Sequence, residues 1–187
     1  MARRFLHHDA AFEHLLRAHR VPYIAVDEAR RTLLPNTESL KSFDFLVSTP
    51  TSRLLVEVKG RTWRAPAATR PGHSARSASA TGRLESWATL DDVEALRAWQ
   101  RLLVGGFSAA LAFLYLCDAE PPDTLFDEAF EFKHRWYGLR TVAVDDYARC
   151  MRPRSERWRT VDVAPSDFAR LRLPVLTPTR CPAALSA

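Results

Sequence analysis

The stretch FDFLVSTPTSRLLVEVKG, residues 43–60, decides the fold. Its halves, 43–48 and 53–60, are largely apolar, strand-like runs, and Thr49-Pro50-Thr51-Ser52 stands between them. Pro50 presets the backbone for the second position of a type I turn. The stretch therefore predicts a β-hairpin. A symmetric hairpin centred between Pro50 and Thr51 sets Thr49 opposite Ser52 and Ser48 opposite Arg53. Continued along both strands, it sets Asp44 opposite Glu57. Facing residues share one side of the sheet with Cβ atoms about 5 Å apart. Lys59, two residues beyond Glu57, joins them on that side.

Like charges set opposite each other are destabilising. A divalent cation would relieve Asp44 and Glu57, because hard cations take carboxylate oxygens. Mg²⁺ in particular is held by one or two carboxylates together with water and substrate phosphate. Lys59 would then stand where it can orient or deprotonate a water, or stabilise charge on a phosphate. The plainer alternative is a wet strand face, on which Glu57-Val58-Lys59 is an ordinary exposed ion pair.

The charge distribution favours a polyanionic partner. The 187 residues carry a formal net charge of +5. Residues 59–83 hold six basic side chains (Lys59, Arg61, Arg64, Arg70, Arg76 and Arg83) and no acid, which leaves the rest of the chain slightly negative. A local cationic segment that starts inside the hairpin suits a phosphate backbone. Arg61 and Arg64 flank Trp63, which could stack on a base or pack beneath the loop. A solvated, arginine-rich linker is the competing reading of this segment.

At 47% hydrophobic, the chain has the composition of a globular domain and not of a disordered one. Cys117, Cys150 and Cys181 form no CxxC pair, which argues against a disulfide framework or a zinc knuckle. The histidines show no ligand-like spacing. The longest uncharged run, residues 102–117, is short for a membrane span and broken by Gly105-Gly106. The N-terminus lacks the apolar core of a signal peptide. The expectation is a cytoplasmic protein with no membrane partner.

Elsewhere, residues 9–20 predict an amphipathic helix carrying Phe12, Leu15 and Leu16, and 21–26 a strand. Residues 27–41 suggest a short helix and a turn at Pro35-Asn36. Residues 65–82, rich in Ala, Ser, Pro and Gly, predict a flexible basic loop. Residues 89–103 predict a helix capped by Thr89, with Asp91 and Asp92 favouring its N-terminal dipole. A buried strand follows at 107–116, then strands at 130–136 and 141–144 and helices at 145–151 and 165–173. The proline-rich tail, 174–187, is expected to be disordered. The fold class is α/β (α+β).

Asp44 followed by Glu57-Val58-Lys59 on the next strand resembles the signature of the PD-(D/E)XK nuclease superfamily. The resemblance covers residues 9–116 and places the chain in a bacterial branch. It implies a restriction-endonuclease-like core over residues 1–117, a central mixed sheet flanked by helices, with a C-terminal mixed extension over 118–173 of the same domain. It implies catalytic roles for Asp44, Glu57 and Lys59. Asp44, Glu57 and the Val58 carbonyl would be ligands of Mg²⁺ or Mn²⁺, joined by Glu13 from the first helix. Arg61, Arg64, Arg70, Arg76 and Arg83 would bind nucleic acid. Phe43 replaces the signature proline, and Gln100 is followed four residues later by Val104 where some branches carry tyrosine.

The function implied is metal-dependent hydrolysis of phosphodiester bonds, in DNA rather than RNA. The alternative is a non-catalytic nucleic-acid-binding or assembly module on the same fold. A third reading is a protein-interaction domain whose basic loop docks an acidic partner. Nothing in the sequence specifies a homo-oligomer.

Overall fold

The computed structural model describes residues 7–26, 32–33, 39–49, 52–66, 83–103, 105–122 and 124–173. In chain order the elements are α1 (His7–Ala18), β1 (Tyr23–Ala25), β2 (Thr32–Leu33), β3 (Ser39–Leu40), β4 (Phe45–Ser48), β5 (Arg53–Trp63), β6 (Ala88–Thr89), α2 (Leu90–Leu102), β7 (Phe107–Cys117), β8 (Glu128–Phe132), β9 (Arg135–Ala143), α3 (Val144–Cys150), β10 (Met151–Ser155), β11 (Thr160–Val163) and α4 (Pro165–Arg170).

The main sheet is mixed, in the order β1-β4-β5-β7-β9-β8. β4 pairs antiparallel with β1 on one side and with β5 on the other. β5 and β7 are parallel and paired along their full length, from Arg53 beside Phe107 to Trp63 beside Cys117. A parallel pair needs a crossover, and α2 lies in the segment that supplies it. Alternation along β5 then assigns the two faces. Leu54, Val56 and Val58 pack under α1 with Phe12, Leu15 and Leu16. Leu55 and Trp63 pack under α2 with Val93 and Leu96. β7 is buried almost throughout, as a central strand covered on both faces must be.

Residues past 117 build part of the same sheet, since β9 pairs antiparallel with β7. The strand predicted over 130–136 is instead two strands, β8 and β9, paired around Lys133-His134. Both turn residues have positive φ, 51° and 58°. Such a turn normally advertises itself with Gly, Asn or Asp, and Lys-His does not. A second sheet, β10-β11-β6, has no counterpart in the sequence reading. It joins the C-terminal hairpin to the segment that leads into α2. The short strands β2 and β3 pair where a helix was expected. The turn at 35–36, most of the basic loop (67–82) and the tail lie outside the described residues.

Gly138 in β9 gives a test of this packing. A Cβ there would lie 2.5 Å from Cγ and Cδ1 of Phe126. That buried ring packs against Tyr115 at 5.4 Å and edge-on against Trp63 at 6.0 Å. Gly138→Ala is expected to cost about 1–3 kcal/mol, as overpacking does. Urea unfolding measures it; a change below about 0.5 kcal/mol, the usual range for surface substitutions, would mean that the ring relocates freely.

Candidate active site

The hairpin register agrees with the sequence reading over four pairs, from Ser48 opposite Arg53 to Phe45 opposite Val56. Thr49 N–H donates to the Ser52 carbonyl at 2.8 Å and closes the turn end; Pro50 and Thr51 lie outside the described residues. At Asp44 the ladder departs from the expected pattern. Its N–H donates to the Val56 carbonyl at 3.0 Å, one residue short of the facing position. Such an offset re-aims a side chain, as β-bulges do. The Asp44 carboxylate then acts as the next acceptor along the edge, with Val58 N–H donating to Oδ2 at 2.7 Å. Asp44, only 3% exposed, is thus set against the amide that separates Glu57 from Lys59.

Glu57 and Lys59 share the α2 side of β5, and α2 contributes a third charge. Lys59 Nζ lies 2.8 Å from Glu57 Oε1 and 2.6 Å from Asp92 Oδ2. Lys41 Nζ donates to the same Glu57 Oε1 at 3.0 Å and also binds Asp92 Oδ1. Two carboxylates and two ammoniums therefore form one neutral quartet. Thr89 and Asp92 cap α2 reciprocally: Asp92 N–H donates to Thr89 Oγ1 at 3.2 Å, and Thr89 N–H to Asp92 Oδ2 at 3.1 Å. Trp99 Nε1 donates to the Lys41 carbonyl at 2.8 Å and ties that residue to the same helix.

The electrostatics follow from burial and charge. Burial alone would raise the Asp92 carboxyl, but Lys59 and Lys41 hold it well below the usual carboxylate range. Burial would lower the Lys41 ammonium, but Glu57 and Asp92 raise it well above the usual lysine range. The counter-charge foreseen as a metal ion is here supplied to Glu57 by lysines. Among the described residues, no group of three or more His, Cys, Asp or Glu side chains is arranged to hold a metal ion.

The α1 side closes against the strand just past Lys59. A Cβ at Gly60 would collide with the His8 ring, and His8 Nε2 lies 3.1 Å from the Arg61 carbonyl. Burial, with His7 beside it, lowers His8 to about 4, so its ring is neutral at neutral pH.

No family model matches the sequence, and no curated protein matches it. The chain shares its fold with a Holliday junction resolvase. One similar solved structure is that of Hjc from the archaeal hyperthermophile Archaeoglobus fulgidus. The TM-score is 0.50 at 16% sequence identity, over 90% of this chain and 95% of that one. At that identity the likeness is one of fold: a restriction-endonuclease-like mixed sheet with helices on both faces.

The other residues singled out in the sequence are scattered. Glu13 is not brought to the Asp44–Glu57 region. It sits on α1, which covers the opposite face of β5 from Glu57, and its Oε1 accepts from Arg17 and from Tyr23 Oη, both at 2.7 Å. Arg61 is not a surface cation. It is 7% exposed, lies 3.7 Å above the Trp87 ring, and donates to the Gly60 and Trp87 carbonyls. Trp63 is buried in the core, too deep to stack on a base. Arg64 and Arg83 are exposed, whereas Arg70 and Arg76 lie outside the described residues. Gln100 serves the fold: it donates to Asp145 and accepts from Ala109 N–H.

Lys41 and Asp92 were missed as site residues. Asp92 had a legible signal, the Thr89-x-x-Asp92 capping pattern, but that pattern places it on a helix end and not beside Lys59. Lys41 had none.

Proposed function

We propose that the chain is a metal-dependent nuclease that hydrolyses phosphodiester bonds in DNA. The carrying observation is the seating of the Asp44 carboxylate on the Val58 amide, with Glu57 and Lys59 on either side. In a strand, the N–H and C=O of one residue point to the same neighbour. The Val58 carbonyl therefore faces the Asp44 edge, beyond the end of β4. Asp44, Glu57 and this carbonyl would hold Mg²⁺ or Mn²⁺, a hard oxygen donor set suited to either ion. Bound there, the ion would acidify a water and offset phosphate charge. Glu13 does not belong to this set.

The chain's own residues do the rest. Lys59 is held by Glu57 and Asp92 with its ammonium on the site face, where it would donate to a phosphate oxygen. Both lysine bonds to Glu57 fall on Oε1. Lys41 is the partner that can leave, since its side chain is 48% exposed. Arg64 and Arg83 would meet the phosphate backbone, joined by Arg70 and Arg76 of the basic loop. The placement in a bacterial branch of the superfamily belongs to this same reading.

One observation favours a second reading, a non-catalytic nucleic-acid-binding module. The quartet of Lys41, Glu57, Lys59 and Asp92 balances its own charge without an ion. The two readings separate on wild type and Asp44→Asn, incubated with single- and double-stranded DNA and RNA in Mg²⁺, Mn²⁺ or EDTA. Asparagine keeps an acceptor for the Val58 amide and removes the charge. Wild type is expected to cut DNA only with metal, and its Tm to rise with Mn²⁺; Asp44→Asn should lose both responses. Salt-dependent binding without cleavage in any metal would support the module instead. Among the described residues, no helix is long and apolar enough to cross a membrane.

A further inference from the structure

The C-terminal hairpin β10–β11 carries the sequence MRPRSERWRT over residues 151–160. It holds four arginines and one exposed tryptophan, and two of the four arginines are already committed. Arg152 pairs with Asp162 at 3.0 Å, and Arg159 with Asp91 at 3.0 Å and Glu94 at 3.6 Å. Among the described residues, Arg154 and Arg157 have no carboxylate partner. They lie instead over tryptophan rings, Arg154 over Trp87 and Arg157 over Trp158, each 5.2 Å from the centroid.

Trp158 is 68% exposed. The backbone that carries it is anchored on its C-terminal side. Arg159, at φ 44°, closes the tip by donating to the Glu156 carbonyl at 3.1 Å, and its own carbonyl accepts from Leu90 N–H at 2.7 Å. Thr160 pairs with Thr89, the cap of α2. A large aromatic is thus held out in solvent on an anchored hairpin, which avoids much of the ordering cost of binding. Beside it runs a groove of about 550 Å³ lined, among the described residues, by Trp87, Thr89, Arg154, Ser155, Trp158 and Thr160, none of them acidic.

The groove adjoins the candidate active site through two connections. Thr89 on its wall caps the helix that presents Asp92 to Lys59. Trp87 on its floor carries Arg61, two residues beyond Lys59 on the same side of β5.

We infer that this groove binds an unpaired nucleotide of DNA, its base stacked on Trp158 and its flanking phosphates on Arg154 and Arg157. The inference rests on the nuclease reading above and adds a preference to it: the substrate presents single-stranded nucleotides beside the bond that is cut. Every base has a face to stack, so such a site selects for unpaired bases and not for sequence. In a duplex those faces are covered by neighbouring bases, and Trp158 has nothing to stack on.

The test uses the full chain in EDTA, with fluorescence anisotropy on a labelled single strand and on the blunt duplex of the same sequence. Trp158→Ala is expected to weaken single-strand binding about ten-fold, the scale of one lost base–aromatic stack, with duplex affinity unchanged. Trp158→Phe should restore most of the loss. Arg154→Ala with Arg157→Ala should flatten the salt dependence of single-strand binding by about 0.7 in slope per arginine. Wild-type affinity for the single strand in Trp158→Ala, or an equal loss on the duplex, overturns the inference. A parallel Mg²⁺ cleavage assay separates the two levels. If wild type cuts DNA and Trp158→Ala binds like wild type, only the groove assignment falls. If wild type neither binds nor cuts DNA, the nuclease reading falls with it.

Discussion

Lys59→Ala is expected to reduce single-turnover DNA cleavage by about 10²- to 10⁴-fold at saturating metal, the range for loss of a positioned donor or proton-transfer group. The expectation comes from where the ammonium is held. Its two carboxylate partners, Glu57 at 2.8 Å and Asp92 at 2.6 Å, belong to different elements, so both strand and helix fix it. A group pre-positioned in this way does not have to reorganise when charge develops on a phosphate. Binding should change little, because one cation among many phosphate-facing residues contributes only a small part of the salt-dependent affinity. Lys59→Arg keeps the charge but replaces a compact ammonium by a planar fork, and should recover only part of the rate. Cleavage by Lys59→Ala at the wild-type rate would remove Lys59 from the mechanism.

Asp92→Asn should destabilise the fold by about 3 kcal/mol at pH 7, the low end for breaking a buried pair, because Lys41 is half exposed and screened by water. Asparagine can still accept from Thr89 N–H, so the helix cap is largely kept and the loss isolates the charge. What remains is two ammoniums against one carboxylate, Glu57. The pH dependence has a definite sign. The Asp92 carboxyl is held below its unfolded value by Lys59 and Lys41. Its stabilisation is therefore fully present above about pH 4 and is lost as pH falls toward the depressed folded value. Urea melts of wild type and Asp92→Asn should differ most at neutral pH and converge progressively below about pH 4. A gap that stays constant with pH, or one below about 0.5 kcal/mol, would show that the quartet is not what stabilises this helix end. The effect should also persist at high salt, since Asp92 is only 2% exposed and screening acts mainly on exposed pairs.

The same few side chains serve the stability of the helix end and the candidate site. Asp92 anchors α2 and holds Lys59, so the helix end and the candidate catalytic lysine are coupled. Loss of Asp92 should therefore impair cleavage as well as stability. Lys41 differs: it is bound to both acids but open to solvent on one side.

Local signals in the sequence determined a good deal. Alternation on either side of Thr49-Pro50-Thr51-Ser52 determined the hairpin register through Phe45 and Val56, because a strand's period of two and a tight turn leave few other pairings. The same period put Glu57 and Lys59 on one side. The Thr89 cap and the apolar spacing after it determined α2, and the uncharged run after Gly105-Gly106 determined β7. Tertiary structure decided the rest, because those features depend on which elements meet. Packing of α1 and α2 on opposite faces of β5 took Glu13 away from Glu57 and brought Asp92 to Lys59. The shifted hydrogen bond at Asp44 turned its carboxylate onto the Val58 amide, which no periodicity encodes. Arg61 read as a surface cation in a basic segment and Trp63 as either a stacking or a packing group, yet both lie on the α2 side of a central strand and are buried by what covers it. Trp158, with no apolar pattern around it, was left in solvent because its hairpin docks through backbone pairing to Thr89 and Ala88 and not through that ring. Periodicity acts within one element, whereas the meeting of charges from separate elements is settled only when the sheet is covered.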